Sequence, residues 1–177
     1  STGRASPGTE IRIVGEGGEP APVGVDGELQ VRGCAVFTGY LDNPDATAAA
    51  FTADGWFRTG DLARRDAAGN VALTGRIKDV INRGGIKFNP SDVETLLESH
   101  PAVLQAAIVP MPDPVLGEKA CCFATLKPGA KAPALEDLCA WLLERRIAKI
   151  KLPERLVVID EMPLTPTRKV IKGRDRK

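Results

Sequence analysis

The hydrophobic pattern of this chain changes character once, at about Arg76, and that change limits the folds open to it. Ahead of it, apolar residues alternate with period two in short runs, Glu10-Ile11-Arg12-Ile13-Val14 and Glu28-Leu29-Gln30-Val31-Arg32. Such alternation points one row of side chains to a core and the other to solvent, as a half-buried strand requires. Gly15 to Gly27 is rich in Gly and Pro and reads as a connection; it holds no GxxxxGK[ST] phosphate loop. Val36 to Tyr40 adds a short apolar piece. Pro44 to Phe51 is expected to make one or two helical turns, with Ala50 and Phe51 packed inward. Trp56-Phe57-Arg58 and Asn70-Val71-Ala72-Leu73 read as strands on either side of a turn at Asp66 to Gly69. The first part of the chain therefore predicts an all-β module, barrel-like or a curled sheet.

Beyond Arg76 the pattern is mixed. Val80-Ile81 and Ile86-Lys87-Phe88 predict a small hairpin around Gly84-Gly85. Asn89 offers a helix N-cap, Pro90 suits the first helical position, and Asp92 and Glu94 favour the positive end of the helix dipole. Val93, Leu96 and Leu97 supply that helix with an apolar stripe. Strands are expected at Val103 to Val109, Glu118 to Leu126 and Arg155 to Ile159. Leu135, Leu138, Cys139, Leu142, Leu143 and Ile147 recur at helical spacing and predict an amphipathic helix over residues 134–147. The fold class is thus α+β: an all-β barrel-like subdomain over residues 1–75, then a small α/β domain, a sheet with packed helices, over residues 76–177.

The length of 177 residues allows one ordinary domain or two small ones. A formal net charge of +1 argues against a nucleic-acid partner. No apolar run approaches the length of a membrane span, and no secretory leader is visible. The chain opens on Ser1 inside a turn-like stretch, so a piece of a longer protein is expected. Cys34, Cys121, Cys122 and Cys139 fit no zinc or redox spacing. They read as small buried residues in a reducing, cytoplasmic setting, with Cys121 and Cys122 on opposite faces of one strand. The single histidine, His100, lies between a helix end and Pro101 and reads as a helix C-terminal residue, neither base nor metal ligand. No metal site is expected.

Three segments carry the chemistry: Arg58-Thr59-Gly60-Asp61, Gly75-Arg76-Ile77-Lys78-Asp79 and Asn82-Arg83-Gly84-Gly85. Each sets charged side chains beside glycine, where backbone can approach a ligand closely. In order and spacing they resemble the adenylate-forming superfamily of acyl-CoA synthetases, peptide-synthetase adenylation domains and luciferases. That family carries RTGD, then GRxKDxI, then GGxxxxPxxxE. Here these stand at Arg58 to Asp61, Gly75 to Ile81 and Gly84 to Glu94. Near the end, Pro163-Leu164-Thr165-Pro166-Thr167-Arg168-Lys169 is similar to the family's PxTxxGK string, with Arg168 where glycine is usual.

The resemblance implies a two-step reaction. A small-molecule carboxylic acid attacks the α-phosphate of ATP, which is taken with Mg2+, to give an acyl-adenylate and pyrophosphate. The thiol of CoA then displaces AMP. It implies that Asp61 holds the ribose hydroxyls and Arg76 the ribose or α-phosphate region, and that Lys169 neutralises charge during adenylation. It also implies that Lys78 is the hinge about which a C-terminal lid swings, and that Gly84 and Gly85 line the path of the CoA pantetheine. The phosphate loop, adenine site and acyl pocket of such enzymes are not among these residues. The expectation is a fragment of an acyl- or aryl-CoA ligase of fatty or aromatic acid metabolism, inactive alone and partnered by the remainder of the N-terminal domain. The alternatives are a carrier-protein-loading adenylation domain and a non-catalytic binding module. Lys169 ends the Pro163–Lys169 loop; from Arg168 to Lys177 six basic residues stand against one acid, and of these Arg174, Arg176 and Lys177 read as a solvated tail.

Overall fold

A computed structural model describes residues 3–166 and 170–172 and divides into two compact units, Ser1–Lys78 and Asp79–Lys177. The fold is α+β, with mainly antiparallel sheets and a few short helices.

In the first unit, β1 (Thr9–Val14), β2 (Gly27–Gly33), β3 (Phe57–Arg65) and β4 (Val71–Arg76) form a four-stranded antiparallel sheet in sequence order. Ahead of β1, Gly3 bridges Val71 of β4, the Val71 amide donating to Gly3 O at 2.7 Å. The alternation read from the sequence becomes real burial: Ile13, Ala63 and Val71 are buried, with Ile11, Ala21 and Leu29 packed around them. The polar face is laced by charge. Trp56 is buried with the guanidinium carbons of Arg12 and Arg32 each 4.5 Å from its ring centroid. Arg12 in turn forks onto Asp54, and Arg32 onto Glu10.

The helix α1 (Pro44–Ala50) is capped by Asn43, whose Oδ1 accepts from the Ala46 amide at 3.0 Å. It buries no residue fully; Ala50 is half-buried. Phe51 is half-buried and joins a ring cluster with Phe37 and Phe57 at centroid distances of 5.8 and 5.4 Å.

The second unit is a five-stranded sheet centred on β8 (Gly117–Leu126). One edge of β8 carries β7 (Val103–Asp113), antiparallel along its whole length. The other meets β5 (Ile81–Arg83) at Gly117 and, further along, β9 (Arg155–Val158) in parallel; β6 (Ile86–Phe88) completes the hairpin with β5. Ala106 and Ile108 of β7 and Ala120, Cys122 and Ala124 of β8 form one apolar row. Val93 and Leu97 of α2 (Ser91–Glu98) and Leu138 and Leu142 of α3 (Leu135–Glu144) cover it.

Two details depart from the sequence reading. The helix α2 starts after Pro90 rather than Asn89, although the Asn89 Oδ1 still accepts the Ser91 amide at 3.0 Å. On α3, Leu143 is exposed and Trp141 turns inward instead, its Nε1 donating to Leu96 O at 3.2 Å. The cysteines are free; Cys121 and Cys122 are buried on opposite faces, whereas Cys34 is exposed against expectation. Burial pushes the Cys122 thiol up to about 12, so it packs as a small apolar group.

Candidate functional site

The RTGD segment lies within β3 rather than forming a separate turn. Its departure from regular pairing makes it useful. Gln30 pairs with Arg58 and Glu28 with Leu62, so β3 carries two residues more than β2 between those points. The extra backbone bulges out, and Gly60 takes it through φ +69°, a left-handed conformation that glycine adopts without strain. Thr59 pins the bulge. Its hydroxyl donates to Leu29 O at 2.7 Å and its Oγ1 accepts the Asp61 amide at 3.0 Å. The Arg58 guanidinium points instead to Glu28, 3.2 Å away.

On β4 a one-residue irregularity between Gly75 and Leu73 restores the register so that Asp61 faces Arg76 directly. Arg76 Nε lies 2.9 Å from Asp61 Oδ1. The carboxylate is 24% exposed and the guanidinium 46%, so both present free lone pairs or N–H groups to solvent. A carboxylate has about four acceptor positions. One is used by Arg76, and the others can receive a vicinal diol while the guanidinium fork faces an anion.

Lys78 occupies the 3-10 turn Ile77–Asp79 and is the last residue of the first unit. Gly84 and Gly85 form the two-residue turn between β5 and β6, closed by the Arg83–Ile86 pair. Their φ values of +58° and +87° are those of a type I′ turn, which glycine pairs satisfy. The Gly84 amide donates to Leu116 O at 2.8 Å, which ties this turn to the β7–β8 turn. That second turn is itself stiff. Asp113 accepts the Val115 and Leu116 amides and the Lys119 ammonium, and these hold its carboxyl at about 2, with Lys119 the main cause.

Arg83, the charge beside the glycines, is engaged within its own unit. Its side chain is 19% exposed, pairs with Glu154 and donates to Ile150 O at 2.9 Å. Lys169 and Arg168 lie outside the described residues. Next to them, Val170 bridges Leu164, and the Ile171 amide donates to Pro163 O at 2.8 Å. His100 is a helix-end residue, as read. Its Nδ1 accepts the Ala102 amide and its ring meets Trp141 edge-on, with centroids 4.8 Å apart. Burial, then the cations Lys127 and Arg145, lower its pKa, so the ring is neutral.

Of the expected site residues, Asp61 and Arg76 are thus brought into contact. Sequence reasoning missed Thr59, which shapes the bulge, and the partnership of Glu94 with Lys172. Thr59 stood inside the RTGD string, which was its only signal; Lys172 was hidden in a basic run. Among the described residues no group of three or more His, Cys, Asp or Glu side chains is placed to hold a metal, and no helix is long and apolar enough to cross a membrane.

Known proteins resemble this chain in sequence and in fold. Residues 92–169 match the AMP-binding enzyme C-terminal domain. The chain is 41% identical to the medium-chain fatty-acid–CoA ligase of Escherichia coli over 96% of its own length and 30% of that protein's. It is 46% identical to the 2-hydroxy-7-methoxy-5-methyl-1-naphthoate–CoA ligase of Streptomyces carzinostaticus, over 94% of this chain and 30% of that one. Its fold superimposes with a TM-score of 0.85 on ATP-bound MatB from Rhodopseudomonas palustris, at 31% identity, covering 94% of this chain and 33% of that one. The chain therefore spans about a third of the length of the proteins it matches.

Proposed function

The chain belongs to the adenylate-forming enzymes, and from that premise we propose that it is part of an AMP-forming acyl- or aryl-CoA ligase. The observation that carries this reading is the Asp61–Arg76 pair, set across β3 and β4 by a bulge that Thr59 and Gly60 shape. Asp61 accepts hydrogen bonds from the two ribose hydroxyls of ATP. Arg76 steadies the carboxylate and turns its remaining N–H groups to the α-phosphate side. Lys169 supplies a mobile point charge that balances the negative charge gathering on the α-phosphate as the substrate carboxylate attacks. Pyrophosphate leaves and the acyl-adenylate remains.

The second step needs a thiol at the same carbonyl. Rotation about Lys78 carries the second unit from an adenylating pose, in which Lys169 is used, to a thioester-forming pose. The Gly84-Gly85 turn then lies along the pantetheine of CoA, where absent side chains leave backbone open to a narrow ligand. In this reading residues 1–75 end the large N-terminal domain and residues 76–177 are the mobile lid. The substrate is a fatty or aromatic acid. ATP enters with Mg2+, for which the described residues of this chain offer no group of three or more His, Cys, Asp or Glu side chains. Free cysteines throughout accord with a cytoplasmic protein, and the chain alone is inactive.

The test is product analysis of the intact ligase with ATP, CoA and a panel of medium-chain and aromatic acids. AMP, pyrophosphate and an acyl-CoA are expected. Release of ADP and phosphate would overturn the proposal. A thioester formed on a carrier protein's phosphopantetheine, and not on CoA, would make the chain part of a carrier-loading adenylation domain.

A further inference from the structure

Gln30 on β2 is 2% exposed, deep burial for a side-chain amide. Each end of that amide meets a different charge. Its Oε1 accepts Arg12 Nε at 2.8 Å, and its Nε2 donates to Glu28 Oε2 at 2.8 Å. The same Glu28 oxygen accepts Arg58 Nη1 at 3.2 Å. Arg12 is fixed from behind, forked onto Asp54 at 2.7 and 3.1 Å and packed on the Trp56 ring. One hydrogen-bonded chain, Asp54–Arg12–Gln30–Glu28–Arg58, thus crosses β1, β2 and β3.

This chain meets the RTGD bulge at both of its ends. On β3 the bulge is bracketed by Arg58, which pairs with Gln30, and by Leu62, which pairs with Glu28. Between the brackets three residues, Thr59, Gly60 and Asp61, stand against one, Leu29. Regular pairing therefore holds the two ends, and the middle depends on side chains. Thr59 pins the middle through Leu29 O and the Asp61 amide. The Arg58 side chain supplies a second restraint: it reaches past the bulge to Glu28, the residue opposite the far bracket. Glu28 can hold it only with its carboxylate in place, and the Gln30 amide fixes that carboxylate.

We infer that Gln30 and Glu28 are positioning residues for the nucleotide: with Arg58 they clamp the bulge and so hold the Asp61 carboxylate against Arg76, where it receives the ribose. This rests on the role proposed above for Asp61. In this reading neither side chain touches the nucleotide. The residue between Arg12 and Glu28 must accept from a cation and donate to an anion at once, which a neutral amide does. Gln30→Glu keeps the acceptor for Arg12, loses the donor to Glu28 and sets a second carboxylate beside the first.

The test uses the intact ligase with Gln30→Glu, Gln30→Met, Glu28→Ala, Glu28→Gln and Arg58→Met, each alone and combined with Asp61→Ala. Acid-dependent pyrophosphate exchange is read against ATP and against acid concentration, beside the melting temperature. Ribose contacts are the same in the ground and transition states, so their loss appears in KM for ATP and not in kcat. Gln30→Glu, Gln30→Met and Glu28→Ala should raise KM for ATP by about 5- to 30-fold, within the range for residues coupled in one network. The kcat and the KM for the acid should stay within about threefold. Glu28→Gln keeps an acceptor for both donors and should retain most of the affinity. In the Asp61→Ala background the same changes should add less than about twofold, because the clamp acts only through Asp61. Arg58→Met alters a side chain 47% exposed and should move KM for ATP in the same direction, even where a Gln30 variant fails to fold. An unchanged KM for ATP, kcat and both KM values moving together, Glu28→Gln no better than Glu28→Ala, or full additivity with Asp61→Ala would overturn the inference. If Asp61→Ala raises KM for ATP and the clamp variants do not, the positioning role alone falls. If Asp61→Ala leaves ATP kinetics unchanged, the reading of Asp61 falls and this inference with it.

Discussion

Replacing Asp61 by Ala separates a structural role from a ligand-binding one, because the two predict effects of different size in different assays. Structurally, Asp61 contributes a cross-strand ion pair with Arg76, N···O 2.9 Å, between side chains 24% and 46% exposed. Solvent screens such a pair, and its loss costs about 0.2–1 kcal/mol of stability. That corresponds to a few degrees of melting temperature for a unit of this size. The backbone of the bulge should survive, since Thr59 Oγ1 binds the Asp61 amide and not its carboxylate. Functionally, a carboxylate that accepts two ribose hydroxyls contributes charged hydrogen bonds worth about 2–4 kcal/mol together. Their removal should lower kcat/KM for ATP by about 30-fold to 10³-fold at 1.4 kcal/mol per tenfold. The assay is acid-dependent pyrophosphate exchange against ATP concentration, beside a thermal melt of the same preparation. Unchanged ATP kinetics would remove Asp61 from the nucleotide site. A large activity loss matched by a melting drop beyond about 10 °C would assign the effect to folding instead.

Two further expectations concern the hinge and the histidine. Lys78→Pro fixes φ in the 3-10 turn, so thioester formation should fall more than pyrophosphate exchange; equal loss in both would indicate misfolding. His100 is held neutral with its pKa lowered, chiefly by burial, so the unfolded chain binds its proton more readily than the folded one. Its contribution to stability is complete above an unfolded value of about 6.5 and is lost as pH falls toward the lowered folded value. Between pH 7 and 5 the urea midpoint followed by Trp141 fluorescence, in a Trp56→Phe background, should fall less steeply in His100→Gln than in the parent; identical slopes would contradict the lowered pKa of the half-buried ring.

Much of the fold was legible because local periodicity decides it. Ile11 and Ile13 alternate with charges, and only a strand gives that spacing one buried row. The Gly84-Gly85 pair predicted its hairpin because a two-residue turn there demands φ > 0 twice. What could not be read depends on partners distant in sequence. The RTGD bulge exists because Glu28 and Gln30 of another strand pair on either side of it. Trp141 rather than Leu143 faces inward because Leu96 O accepts the indole N–H and His100 meets the ring. The partner of Arg83, Glu154, is 71 positions away in the sequence, and no local pattern links the two. Lys172 carries no local mark that distinguishes it from the basic residues after it; Glu94 and Asp79 give it its place. The Asp61–Arg76 contact lay between these cases: the two strings were visible, and the register that opposes them was not.

The central claim is that this chain serves one half-reaction through Lys169 and the other without it, and assaying the two halves separately in Lys169→Ala tests that most directly. Removing one preorganised charge from a developing phosphoryl transition state costs about 3–4 kcal/mol, or about 10²–10³ in rate. Pyrophosphate exchange should fall by that factor, while conversion of a supplied acyl-adenylate to acyl-CoA stays nearly intact. The neighbouring cation Arg168 can substitute in part, and Lys169→Ala combined with Arg168→Gly should deepen the loss in exchange alone. Equal slowing of both half-reactions, or of neither, would contradict the account.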